Sequence, residues 1–349
     1  MARIPADALL AFAQALLARA GLAMDRARVT AEVLVEGDLL GHDTHGLALL
    51  APYLAEIERG AMATAGDIVV LNDRPAALLW DGGRLPGPWL VQRAVDTAIE
   101  RSRLCGTATV VIRRSHHIAC LAAYLRRATE QGFVLLIACS DPNAASVAPY
   151  GGTTAVFTPD PLAIGFPTAG DPVLVDVSAS VTTNGMSARL HREGRRFSHA
   201  WLLDSAGNTT DDPAVLAAQP PGTILPLGGL EAGHKGYGLA LLNEALTGAL
   251  AGHGRADPKE GWGATVFVQA LDPEAFGGRD EFRRQSEFIA RQCRSSPPRP
   301  GVERVRLPGE RALAHRREQL TQGVQLHGSI LPALEPWAQR FSVAMPGAR

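Results

Sequence analysis

The chain has 349 residues, 46% hydrophobic and 20% charged, with a formal net charge of -1. This near-neutral balance, with scattered arginines and few aromatics, argues against a nucleic-acid or membrane-surface partner, and no apolar run is long enough for a membrane span. Four cysteines at 105, 120, 139 and 293 include no Cys-x-x-Cys pair, which points to reduced thiols in a cytoplasmic protein rather than a disulfide framework or a metal cage.

The length predicts two domains. The N-terminal stretch carries Leu9, Phe12, Leu16 and Leu17 at helical spacing, with Asp7 as its predicted N-cap and Gly21 as its stop. This reads as an amphipathic helix rather than a signal segment. A second helix runs from about Asp25 to Gly41, with Val29, Val33, Leu34 and Leu40 on its apolar face. The segment Gly41-His42-Asp43-Thr44-His45-Gly46 follows, then a third helix to Gly60. Thr44 is a natural N-cap for it, which would place His45 in the first turn and favour the neutral imidazole. His42 and His45 are then either proton-transfer groups or loop-satisfying side chains.

Residues 76–83 read as a strand and turn, and 88–103 as a helix. Ala108–Ile112 and Phe133–Ala138 read as strands, joined by a helix that Ser115 would cap and Gly132 would stop. This βαβ pattern predicts two parallel strands, with ligands beyond their carboxyl ends. Arg114-Ser115-His116-His117 and Ser140-Asp141 occupy those ends. Further strands are predicted at Ala155–Phe157, Leu162–Phe166 and Val173–Ser178. Asp176 there is suited either to a ribose hydroxyl or to capping a turn. Residues 182–222 read as polar and turn-rich, with one strand near Ala200–Leu203. Beyond a strand at Ala264–Gln269, helices are predicted at 280–293, 311–322 and 328–341.

Gly233-His234-Lys235-Gly236-Tyr237-Gly238 reads as a glycine-rich loop opening into an apolar helix. Lys235 is one of only two lysines; the other is Lys259. Backbone N–H groups, a helix N-terminus and an ammonium together could bind an anion. A surface lysine beside a helix start is the plainer reading. Neither a Gly-x-Gly-x-x-Gly after a strand nor a P-loop occurs, so any dinucleotide must bind on a different scaffold.

In order and spacing, several segments together resemble the type-2 malate/L-lactate dehydrogenase family of NAD(P)-dependent oxidoreductases. They are Asp43-Thr44-His45-Gly46 with Pro52-Tyr53, Ser115-His116-His117, Val147-Ala148-Pro149 with Gly151-Gly152, Asp160-Pro161, Asp176–Ser180, Lys235–Leu239 and Leu307–Glu310. The resemblance implies an α/β fold, a mixed β-sheet between helices with a non-Rossmann NAD(P) site. A helical subdomain would come from the chain ends, 1–75 with 310–349, around a sheet domain of 76–309. It implies His117 and His45 as the acid/base pair, with Thr44, Leu49, Tyr53 and His116 at the substrate. NAD or NADP would be held by Lys235, Gly236, Asp176, Val177, Ser178, Ser140, Asp141 and Glu310. It further implies a small-molecule substrate and a homodimer.

The chain departs from the family pattern at Leu49, where many members carry a carboxylate-binding arginine, so Arg113, Arg114 or another group would have to take that part. Met186 replaces a common lysine, and Thr158-Pro159-Asp160 replaces a Gly-Thr-Asn run. The implied reaction is hydride transfer between nicotinamide and C2 of a small 2-oxo or 2-hydroxy acid. Reduction of a cyclic imine carboxylate is the alternative within the family, and a non-catalytic ligand-binding paralogue the alternative outside enzymology.

Overall fold

The computed structural model describes residues 3–347. Three helices open the chain: α1 (Ala6–Arg19), α2 (Met24–Leu39) and α3 (Leu50–Glu58). A hairpin of β1 (Val69–Arg74) and β2 (Ala77–Asp81) leads into α4 (Gly87–Cys105). Next come β3 (Thr107–Ser115), α5 (Ala122–Thr129), β4 (Val134–Ser140), β5 (Pro161–Phe166) and β6 (Val173–Ser178). Helix α6 (Asn184–Arg192) precedes a small sheet of β7 (Leu202–Leu203), β8 (Thr209–Thr210) and β9 (Thr223–Ile224). Helix α7 (Gly229–Glu244), β10 (Ala264–Leu271), α8 (Arg279–Ser295), α9 (Glu310–Gln322) and α10 (Ile330–Phe341) complete the described chain.

The main sheet is mixed, with strand order β1-β2-β3-β10-β4-β5-β6. Strands β3 and β4 run parallel to each other, as their βαβ pattern predicts, but they are not neighbours. Strand β10 lies between them and pairs antiparallel with both. Its nearly continuous burial suits a central strand. Two adjacent strands of sequence cannot announce a third that is inserted from over a hundred residues downstream.

Alternation sorts the two faces. Val110, Ile112, Ile137 and Val268 enter the large core shared with α1–α5, while Val111, Ala138 and Phe267 face the opposite side with Ala251. On the first face α4 packs against β3 and β10, and α5 against β5. The chain ends meet there too: Ile4 bridges Val324, α10 packs on α1 and α3, and α9 packs on α2.

Several local features differ from their sequence signals. Asp7 lies inside the first turn of α1, and Pro5 is the N-cap. Ser115 ends β3 and donates to the His116 carbonyl instead of capping a helix; α5 starts only at Ala122. Ala155–Phe157 forms a single bridge, Phe157 to Val147, rather than a strand. Strand β1 is fully exposed and lacks the alternation that marks a half-buried strand. Gly233–Gly238 lies within α7, just past a kink at Ala232 (φ -126, ψ 15). The glycines therefore open the second segment of a bent helix, not a loop.

One close approach ties fold to site. A Cβ on Gly87, the first residue of α4, would lie 2.3 Å from the His116 carbonyl oxygen and 2.4 Å from that of His117. Gly87→Ala must push the chain carrying these histidines aside. Overpacking of this kind costs about 1–3 kcal/mol. The melting temperature of Gly87→Ala should therefore fall well below wild type by calorimetry, and an unchanged value would show that this contact yields freely.

Candidate active site

The register of the sheet brings five strand ends to one edge. Ser115 of β3 is level with Ala264 of β10, Ser140 of β4 with Thr265, and Pro161 of β5 with Ser178 of β6. A cleft of about 680 Å³ opens there. Its walls come from the loop 41–45, the segment 117–121 after β3, the ends of β4 and β6, and the start of α6, with Trp262 and Leu49.

His117 and His45 face each other in this cleft with ring centroids 6.0 Å apart. Trp262 lies against His117 at 4.6 Å and 30°. The Tyr53 hydroxyl sits 2.8 Å from His117 Nδ1 and 3.1 Å from the His117 carbonyl oxygen. The Ala119 N–H also points at Nδ1, at 3.3 Å. Nδ1 thus has a partner in either state: the amide when it is bare, the phenol oxygen when it carries a proton. Nε2 is left for chemistry. The backbone around the histidines is strained, with Arg114 at φ +53 and Ala119 at φ +59. Such non-glycine residues cost roughly 1–3 kcal/mol each and cluster at functional sites.

Both imidazoles are held neutral. Burial, together with His45 and His116, pushes His117 well below the ordinary histidine range. Burial, His42 and Arg189 lower His45 to about 4. The expected helix-start effect on His45 is not the cause. Thr44 caps no helix; its hydroxyl meets His45 Nδ1 at 2.8 Å, and the turn that follows is a 3₁₀ segment, Leu47–Leu49, with Gly46 at its N-cap.

The other residues singled out by sequence divide. Thr44, Leu49, Asp141, Asp176 and Ser178 line the cleft. Val177 points away, since neighbours on a strand alternate. His116 also turns away: it is fully buried, 3.1 Å from Glu56 and edge-on to Tyr53 and Trp262. Tyr53 stands behind His117 and is absent from the cleft wall. The Ser140 hydroxyl donates to Glu244 and neighbours Arg255, away from the cleft. Glu310 is engaged with Arg294, Arg304 and the Leu307 N–H, also outside it. Lys235 is exposed on α7 and does not line the cleft. Gly236 is packed tightly: a Cβ would lie 2.3 Å from Leu227 N and 2.6 Å from Ala179 O, next to Ser178.

Arg113 and Arg114 cannot replace the arginine missing at 49. Both pair with Asp81, and Arg114 also with Glu260. No arginine or lysine lines the cleft among the described residues. The structure instead adds Asn184, Gly185 and Trp262 to the walls. Helix α6, which the polar stretch 182–222 concealed, is capped by Thr183, whose hydroxyl accepts from Met186 N. Its start touches the loop 41–45, because a Cβ on Gly185 would lie 3.4 Å from Thr44 and 3.9 Å from the His45 ring. A threonine three residues before the helical N–H it caps was the available signal.

The chain matches the malate/L-lactate dehydrogenase family across residues 4–335. It belongs to that family. It is 32% identical over 343 residues to an L-lactate dehydrogenase of Cupriavidus necator, covering 96% of this chain and 97% of that one. The malate dehydrogenase of Pyrococcus horikoshii superposes with a TM-score of 0.88 at 27% identity, covering 98% of this chain and 96% of that one. The delta1-piperideine-2-carboxylate reductase of Pseudomonas syringae superposes with a TM-score of 0.84 at 26% identity, covering 97% of this chain and all of that one (100%). This family member is therefore an oxidoreductase of hydroxy or oxo acids that works with a nicotinamide cofactor. Among the described residues no helix is long and apolar enough to cross a membrane.

Two measurements probe the histidine pair in this dehydrogenase. Tyr53→Phe keeps the ring but removes the partner of Nδ1. A lost hydrogen bond of about 1–1.5 kcal/mol corresponds to roughly tenfold in rate. Turnover should fall by about that factor in steady-state assays, with KM little changed. The second concerns pH. Unfolded His45 takes its proton near the ordinary histidine value of 6.5, folded His45 only near 4. The folded state therefore keeps this stability above 6.5 and loses it as pH falls toward 4. Asp38, raised to about 7 chiefly by burial, works in the opposite direction as pH rises. Comparing wild type with His45→Gln cancels that contribution. The variant's melting temperature should decline less steeply between pH 6.5 and 4, and parallel curves would contradict the burial argument.

Proposed function

We propose that the cleft joins the nicotinamide end of NAD or NADP to a small 2-oxo or 2-hydroxy acid, with His117 as the acid/base. The paired histidines carry this reading: Nδ1 of His117 is held from behind by Tyr53 and Ala119, and its ring faces His45 across the cleft. The volume suits a small substrate beside part of a larger cofactor. The nicotinamide supplies the hydride chemistry when bound. The protein's part is the proton. In oxidation, Nε2 of His117 takes the hydroxyl proton while Nδ1–H is held by Tyr53. In reduction, the imidazolium returns a proton to the oxygen as negative charge grows on it. His45 orients the carbonyl from the opposite side, with Thr44 fixing its ring.

Asp176 and Ser178, on the same face of β6, are suited to ribose hydroxyls, and Asp141 offers a second carboxylate. Lys235 is one residue from the contact of Gly236 with Ala179 O, beside Ser178. Its exposed ammonium could reach a diphosphate at the cleft's outer end. The substrate carboxylate would meet neutral donors only. Thr183 caps Met186, which leaves the N–H groups of Asn184 and Gly185 at the cleft. The apolar Leu49 favours a second reading, a cyclic imine carboxylate, whose ring would lie against it. Unpaired cysteines fit a reducing compartment such as the cytoplasm. Exposed Leu241, Leu242 and Leu250 on and after α7 fit a homodimer contact.

Titration of NADH and NADPH by nicotinamide fluorescence tests the cofactor, and a panel of 2-oxo acids and cyclic imine carboxylates tests the substrate. Absence of binding for both dinucleotides would refute the proposal. His117→Ala should lower turnover by about two to four orders of magnitude, with the dinucleotide Kd unchanged. Lys235→Ala should do the reverse, raising Kd while sparing turnover at saturation. An exchange of these phenotypes would overturn the assignment of roles.

A further inference from the structure

Three residues far apart in sequence converge on the cleft wall: His42 from the loop after α2, Cys120 just before α5, and Asp176 from β6. One ligand atom of each lies within 4.8 Å of the other two. Cys120 Sγ is 3.8 Å from Asp176 Oδ2. Ligand atoms of a tetrahedral zinc centre stand roughly 3.5 Å apart, from Zn–S and Zn–N bonds of about 2.3 and 2.0 Å. Modest side-chain rotation would close the remaining gap. We propose that His42, Cys120 and Asp176 bind one Zn²⁺ ion per chain, with the fourth coordination position open to the cleft.

The surroundings suit that ion. The Asp176 carboxylate is already fixed by the Ala122 N–H at 2.9 Å, the kind of outer contact that orients a metal ligand. The His42 ring makes no hydrogen bond to another described residue that a metal would have to break. Zinc binding forms the S–Zn bond and releases the thiol proton to solvent. A sulfur, a nitrogen and a single carboxylate select zinc over magnesium or calcium. Asp176 is also assigned to the ribose above, so metal and dinucleotide would exclude one another. That corollary rests on the cofactor reading; the zinc site does not.

The test uses the full chain, stripped with a chelator, in a Cys105→Ser/Cys293→Ser background that removes the two exposed thiols. Zn²⁺ is titrated against a chromophoric chelator, and Co²⁺ serves as a spectroscopic substitute. The expected result is one Zn²⁺ per chain and a thiolate-to-cobalt charge-transfer band. Cys120→Ser should abolish the band, and His42→Gln should weaken zinc binding by roughly tenfold or more. Circular dichroism checks the fold, and if Cys120→Ser does not fold, the partly exposed His42→Gln decides alone. No stoichiometric zinc in the background protein, a band that survives Cys120→Ser, or unchanged affinity in His42→Gln would each overturn the site. None of these readouts uses a dinucleotide or turnover.

Discussion

Burial keeps the facing imidazoles of His45 and His117 uncharged, and the rest of the cleft is arranged around that constraint. Each would raise the cost of protonating the other across 6.0 Å. An anion entering between them reverses the balance. At an effective dielectric of about 20, a unit charge at that distance contributes ~3 kcal/mol, or about two pKa units. The substrate's own carboxylate would therefore move the histidines toward the range in which a proton can be exchanged. On the function proposed above, a cleft that is a poor acid when empty would become a better one when filled.

That arrangement needs a rigid back wall. Tyr53 is fully buried and fixes Nδ1, Trp262 covers one face of the His117 ring, and α4 approaches so closely at Gly87 that only a hydrogen fits beneath the two carbonyls. His116 belongs to this wall. It is lowered to about 3 by burial and by the Arg84 and Arg59 charges, so as a neutral ring it donates to Glu56. Asp176 holds the opposite end by accepting from the first turn of α5. Strain at Arg114 and Ala119 persists because these contacts over-determine the segment between them.

Much of this was legible in the sequence. Helical spacing located α1, α2, α4 and the C-terminal pair, and β-branched runs located β3, β4 and β10, because those elements bury one face against the core. The motif residues His45, His117, Asp176 and Ser178 do reach one cleft. What was not legible follows from direction. The resemblance singled out His117 as the acid/base but also placed its neighbour His116 at the substrate, and of the two only His117 lines the cleft. Ser140 and Val177 fail for the same reason beside Asp141 and Ser178. Helix α6 was hidden because it buries only Ser187 and Leu190, too little for a periodic signal. The grouping of His42, Cys120 and Asp176 depends wholly on tertiary placement.

The position of Leu49 follows from the same geometry. It lines the cleft at the position where the family resemblance implies a carboxylate-binding arginine, and among the described residues no cation lines the cleft in its place: Arg113 and Arg114 are spent on Asp81, and Arg189 on Asp43. On the function proposed above, carboxylate recognition would then rest on neutral N–H donors of α6 and on the imidazoles. Such donors provide direction but less attraction than a guanidinium fork. A substrate with apolar bulk beside its carboxylate recovers some of the difference by covering Leu49, at about 25 cal/mol for each Å² removed from water. A compact dicarboxylate recovers none. On the function proposed above, the cleft would be better matched to monocarboxylates carrying a hydrocarbon chain or ring than to a second carboxylate at that wall.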